Sequence, residues 1–201
     1  MSIFLPSPTS SKKEESGFTL IELLVVMAIM LVMTTMILAK NSQFNSTVLL
    51  RDLAYNIALS IREAQVYGIS GKSAGGALGV QYGVYFASGA LTQYRLFADT
   101  NSDNQYTSSS EDVQLYTVGT NYRISDFCAT TTGGVEKCVS TGELTSLTLL
   151  FKRPDPDAII RTNIATDTYT SATITAASVS GEATRRVHIT NTGQLSIPSG
   201  S

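Results

Sequence analysis

FTLIELLVVMAIMLVMTTMILA, residues 18–39, is the stretch on which the fold turns, and Glu22 is its one ionisable residue. At about 1.5 Å per residue, a helix over 18–39 is roughly 33 Å long, close to the hydrocarbon thickness of a bilayer. The run is apolar on every side and has no polar face to turn to water, so it reads as a membrane segment. A cleaved secretory signal would have a shorter apolar core followed by a small-residue cleavage site. Here the order is reversed. A polar, turn-rich leader with Pro6, Pro8, Lys12, Lys13, Glu14 and Glu15 closes at Gly17, and the apolar run begins only then.

Glu22 needs an account of its own, because a carboxylate inside a membrane helix costs on the order of a few kcal/mol. Two readings stay open. Thr19 and Glu22 have the spacing of a capping box, in which the acid bonds back to the helix start. Alternatively, Glu22 neutralises a positive charge. If the chain were cut after Gly17, the new α-amino group of Phe18 would be such a charge, one helical turn away or on a neighbouring copy.

Gly17-Phe18-Thr19-Leu20-Ile21-Glu22-Leu23-Leu24-Val25-Val26 resembles the cleavage and methylation motif of type IV prepilins and type II secretion pseudopilins. The resemblance covers about the first 40 residues. It implies that a membrane aspartyl peptidase, the prepilin peptidase, cuts after Gly17 and methylates the amino group of Phe18. It further implies that Glu22 pairs with the amino terminus of an adjacent subunit during assembly. Lys12 and Lys13 lie further from the cut than is usual, and two Glu intervene, which weakens the positive-inside signal. Many major pilins carry a proline near the end of the apolar run. Ala39 stands there instead, favouring an unbroken helix and a minor subunit.

Composition agrees with an exported, anchored protein. Charged residues are 15% of the 201, against about 25% in soluble domains, and the formal net charge is −2. There is therefore no basic excess to hold a phosphate backbone. The single His excludes any site built on paired histidines. After residue 40, Leu49, Leu53, Ile57, Ile61 and Ala64 form an apolar stripe at helical period, ending near Tyr67-Gly68. A helix over 18–67 would be roughly 75 Å long, half greasy all round and half amphipathic. Beyond residue 77 the chain turns to Tyr, Val, Thr and Ile in short runs. Strands are expected at 79–87, 91–98, 113–118, 121–125, 146–151, 169–176, 184–190 and 194–197, the last two joined by a turn at Asn191-Thr192-Gly193. The expected class is α+β: a long N-terminal helix carrying a mostly antiparallel β head. Its parts are a leader at 1–17, a membrane or filament-core helix at 18–39, an amphipathic helix at 40–68 and a head at 77–201. The stripe, the head and Arg185-Arg186-Val187-His188-Ile189 with Gly193 resemble, more loosely, the H-type pseudopilins and related minor pilins.

Four further motifs bear on chemistry. Gly71-Lys72-Ser73-Ala74-Gly75 matches a nucleophile elbow, but the helix precedes it and a strand follows, the wrong order. As a phosphate loop it lacks the required Gly, since Val66 stands in that place. Asp99, Asn101, Asp103, Gln105 and Glu111, with Thr107 and Asp112 nearby, set oxygen donors at alternate positions of a tight loop, which suits Ca²⁺. Asn104, which tolerates left-handed geometry, replaces the turn Gly of an EF-hand. The plainer reading is a hairpin loop rich in Asx turns. Cys128 and Cys138 enclose a short loop and lack the C-x-x-C spacing of a redox pair, so a structural disulfide is expected in an oxidising compartment. Some minor pilins bind DNA through a basic Gly-Arg-x-Arg element near the C-terminus. Here that place reads Gly193-Gln194-Leu195-Ser196, and nucleic acid is disfavoured.

Taken together, the resemblance and the residues point to a non-enzymatic filament subunit, a minor pilin or pseudopilin. Its expected partners are other pilin subunits, the prepilin peptidase and an inner-membrane assembly platform. It would wait as a single-pass protein in the inner membrane, head outside the cytoplasm, before entering a periplasmic or surface filament. The competing reading is a filament-tip module for DNA uptake or surface adhesion, with calcium as a clip.

Overall fold

The computed structural model describes residues 17–76, 78–179, 181 and 183–198, with the side chains of 39–47 outside the description. The leader, apart from Gly17, thus lies outside the described residues. Two compact units make up the chain, Met1–Gln43 and Phe44–Ser201. Helical backbone runs over α1 (Leu20–Ser70), in which no proline interrupts the hydrogen-bond ladder. Within the first unit, every described residue of the helix is exposed. Leu20–Leu38 is long and apolar enough to cross a membrane. Its two threonine hydroxyls are turned back on the backbone, as a lipid surrounding requires. The Thr34 hydroxyl donates to the Met30 carbonyl at 2.6 Å and that of Thr35 to Val32 at 2.9 Å.

The second unit is α+β. The rest of α1 packs with two antiparallel sheets of five strands each. One sheet has β1 (Gln81–Ala87), β2 (Gln93–Asp99), β3 (Asp112–Thr117), β6 (Ser146–Phe151) and β7 (Ala158–Thr162) in the order β3-β2-β1-β6-β7. The other has β4 (Tyr122–Thr131), β5 (Glu136–Cys138), β8 (Tyr169–Ser178), β9 (Thr184–Thr190) and β10 (Leu195–Ser196) in the order β10-β9-β8-β4-β5. Both sheets bury one face in a single cluster that takes in Phe86, Leu149 and Phe151 from the first and Phe127, Ile174 and Val187 from the second.

Several elements differ from the sequence expectation, each for a physical reason. β4 continues to Thr131 because a bulge between Ile124 and Asp126 resets the alternation, so that Ile124, Phe127 and Ala129 are all buried. β5 is three residues long and partly charged, too short for any periodicity; its pairing places Cys138 opposite Cys128. β7 follows the Pro-rich loop at 153–157 and is a short edge strand beside β6.

The helical stripe is corrected as well. Leu50, Ala54, Ile57, Ile61 and Ala64 are the buried hydrophobic residues of α1 among those described, whereas Leu49 is 47% exposed and Leu53 only partly buried. At about 100° per residue, each step of four overshoots a full turn by about 40°. Three successive steps of four therefore leave the face, and the alternating steps of four and three in the observed set stay on it. Gly68 continues the contact, since a Cβ there would fall 2.5 Å from the Phe151 carbonyl oxygen. Gly71, at φ +66°, ends the helix in the left-handed conformation that favours glycine.

Polar bonds lock the helix further. The Tyr116 hydroxyl donates to Glu63 at 2.7 Å, Ser60 and Tyr94 share a hydrogen bond at 3.0 Å, and the two tyrosine rings stack at 5.0 Å. Burial first and the Glu63 carboxylate second push the Tyr116 phenol up to about 12. Gln65 donates to the Pro156 carbonyl at 2.8 Å.

The corrected stripe makes a direct comparison possible. In detergent-solubilised protein, Leu50→Ala should cost about 2–5 kcal/mol of head stability by denaturant unfolding. Leu49→Ala should cost under about 1 kcal/mol. Equal losses would return Leu49 to the core.

Candidate functional site

Gly17 and Phe18 are exposed and precede the first helical turn. Thr19 caps that turn: its carbonyl accepts from the backbone N–H groups of Glu22 (3.1 Å) and Leu23 (3.2 Å), and its hydroxyl from Glu22 (3.3 Å). Only this half of a capping box is made. The Glu22 carboxylate is exposed and has no hydrogen-bond or ion partner among the described residues. A lone acid thus sits one turn from the start of an apolar helix.

The connection from β2 to β3 holds a second concentration of acid. Asp99, 2% exposed, closes β2 and accepts the Asp103 N–H on Oδ1 (3.1 Å) and the Asn104 N–H on Oδ2 (2.9 Å). Burial raises its carboxyl above the ordinary value, while those two N–H groups act in the opposite direction. Asn104 has φ +62° and Ser102 φ +60°, so the chain turns twice through left-handed geometry. Asn101 accepts the Asp103 N–H at 3.0 Å, and its amide donates to Asp103 (3.0 Å) and to the Thr107 hydroxyl (2.9 Å). Gln105 is exposed, and its backbone N–H donates to Asp103 at 2.9 Å. A single turn of 3-10 helix, Ser109–Glu111, then brings Glu111 back under the loop. Glu111 is 3% exposed. Its Oε2 accepts the Thr107 N–H (2.8 Å) and hydroxyl (3.0 Å), while Oε1 is buried without a partner among the described residues. Carboxylate oxygens of Asp99, Asp103 and Glu111 lie within 4.8 Å of one another.

Sequence reasoning missed what surrounds this loop. Tyr106 stacks on Tyr85 at 4.5 Å and meets Phe97 edge-on at 5.5 Å, anchoring the loop to β1 and β2. Asp112 is drawn off by an ion pair with Arg95 on β2. An aromatic residue among polar ones was the available signal for the first. Nothing local marks the second, because strand pairing creates it.

Cys128 and Cys138 form a disulfide between directly opposed residues of β4 and β5. Lys137 of β5 also pairs with Asp167 at 2.6 Å, raising the lysine and lowering the acid. Beside the disulfide is a cleft of about 490 Å³ in which Arg186 and His188 of β9 share the lining with Asp126 and Glu136. Arg186 is exposed there, while Arg185 is half-buried. His188 bonds Thr173 through Nδ1 at 3.2 Å. Ser73 belongs elsewhere: its carbonyl accepts from Tyr82 of β1, and the neighbouring Lys72 ammonium sits 3.4 Å over the Tyr67 ring.

Residues 12–38 match the family described as the prokaryotic N-terminal methylation motif, and the chain therefore carries the type IV prepilin and pseudopilin signature. No curated protein and no solved structure matches the chain. The motif supports a pilin- or pseudopilin-like filament subunit, a structural protein, and implies processing by prepilin peptidase and assembly with other pilin subunits. An apolar N-terminal helix bearing it is consistent with an inner-membrane anchored pilin.

The disulfide holds an edge strand of three residues, so its removal should be felt locally and globally. Cys128→Ser with Cys138→Ser should lower unfolding free energy by roughly 2–3 kcal/mol, the loop-entropy value for so short a ring. Non-reducing denaturant titration measures it, and an unchanged midpoint would contradict the assignment.

Proposed function

We propose that the chain is a minor structural subunit of a type IV pilus-like or type II secretion filament, cut after Gly17 and methylated on the amino group of Phe18. The observation that carries this reading is the helix Leu20–Leu38: exposed on all sides, apolar throughout, and broken only by Glu22 near its start. Apolar surface of this extent needs lipid or other helices of the same kind. It serves both states in turn, first as a single-pass anchor in the inner membrane with the head outside the cytoplasm, then as the packed core of a filament. Glu22 supplies register. Its carboxylate has no partner of its own among the described residues. In a low-dielectric filament core, the freed amino terminus of an adjacent copy pairs with it. Such a pair adds little net stability, but an orphaned charge costs on the order of 3–5 kcal/mol, so misplaced packing is rejected. The helix without proline and the loose likeness to H-type pseudopilins favour a minor subunit over a major one.

Mass spectrometry of protein taken from its native host should find a chain that begins at methylated Phe18; a chain still beginning at Met1 would overturn the reading. Glu22→Ala should reach the membrane and fold normally, while its recovery in sheared filaments falls at least about tenfold, the effect of losing 1.4 kcal/mol or more. Undiminished incorporation would remove Glu22 from assembly.

A further inference from the structure

We propose that the β2–β3 connection is a calcium site whose carboxylate ligands are Asp99, Asp103 and Glu111. This goes beyond the filament reading and does not depend on it. Two of the three acids are almost wholly buried, at 2% and 3% exposure, and their oxygens lie within 4.8 Å of each other and of Asp103. Buried carboxylates this close repel unless something positive stands with them. The loop itself supplies nothing of the kind: residues 96–122 contain no Lys, Arg or His, and Arg95 is paired with Asp112.

The second observation is Glu111 itself. Its carboxylate turns into the cluster, held through Oε2 by Thr107, while Oε1 is buried and unpartnered among the described residues. A buried acceptor left without a donor is rare in native proteins, and a bound ion is one of its standard explanations. The Thr107 hydroxyl also lies between Glu111 (3.0 Å) and Asp103 (3.3 Å), yet has one proton to give. Each of these oxygens has one further donor, the Asn101 amide for Asp103 and the Thr107 N–H for Glu111, and neither donor carries a full positive charge.

The chemistry of the donors selects the metal. They are all oxygens, from carboxylates with Asn101 and Thr107 beside them, which suits a hard cation and not zinc. Calcium accepts six to eight such oxygens in a flexible geometry. Magnesium demands near-ideal octahedral geometry and keeps several waters, which suits a cluster of protein oxygens less well. Bound calcium would fasten the end of β2 to the start of β3.

The test uses full-length protein in detergent. Heating is followed by near-UV circular dichroism, in which Tyr106 and Tyr85 report on the loop. Calcium chloride at about 10 mM, above the roughly 10⁻⁴–10⁻³ M dissociation constants of extracellular calcium modules, should raise the midpoint relative to EGTA. Calorimetric titration of calcium should show saturable binding, weakened at least tenfold in Asp99→Asn and in Glu111→Gln. In EGTA, Glu111→Gln should melt no lower than the unaltered protein, because it removes the repulsion; this separates a lost ligand from a failed fold. Equal midpoints in calcium and EGTA would overturn the proposal. So would a calcium response that survives both substitutions, or an equal response to magnesium.

Discussion

Apolar surface with nowhere to go in water is the constraint on which this protein depends. The helix over residues 20–38 exposes Leu, Ile, Val and Met around its whole circumference. At about 25 cal/mol per Å², leaving such a helix in water is costly enough to dictate its surroundings. Lipid satisfies it, and so do neighbouring copies of the same helix. The difference between those two environments is small for the apolar side chains. It is large for Glu22, which can approach the aqueous edge of a membrane but must find a partner inside a packed filament. A single acid can therefore tell the two states apart while the greasy residues cannot.

The head resolves its own apolar surface internally. Residues 50, 54, 57, 61 and 64 of α1 enter the cluster that both sheets close over, with small side chains at 54 and 64 and none at 68 where the backbone comes nearest to β6. Around this core, polar bonds fix orientation: Glu63 to Tyr116, Ser60 to Tyr94, and Gln65 to the loop before β7. Edge strands are held by other means. β5 is pinned by a disulfide and an ion pair, since three residues of ladder would not hold it alone.

Acids in costly places occur in each of the two units, and the same logic governs them. Glu22 and the pair Asp99 and Glu111 each lie where a carboxylate is expensive without a positive neighbour. In the proposed filament that neighbour for Glu22 is another subunit's amino terminus, and in the proposed calcium site of the β2–β3 loop it is the cation. Neither partner is found among the described residues, so in both proposals the subunit is completed from outside.

The anchor and its motif were legible in the linear chain because their signals are local. An uninterrupted apolar run, the Gly17-Phe18 junction and the spacing to Glu22 need no knowledge of what packs where. The α+β class and most strands were legible for a similar reason, since alternation over five or six residues is a local property. What the tertiary structure alone decided is everything that depends on partners distant in sequence. The bulge in β4 concealed its length, and β5 exists only through its pairing with β4. The buried stripe on α1 was set by the helix's true angular step against two sheets. Most of all, burial separated the acids of one loop. Sequence put Asn101, Gln105 and Glu111 on equal footing, whereas folding left Gln105 at the surface and carried Asp99 and Glu111 inside, where the cost of an unpaired charge is decided by desolvation that no linear pattern records.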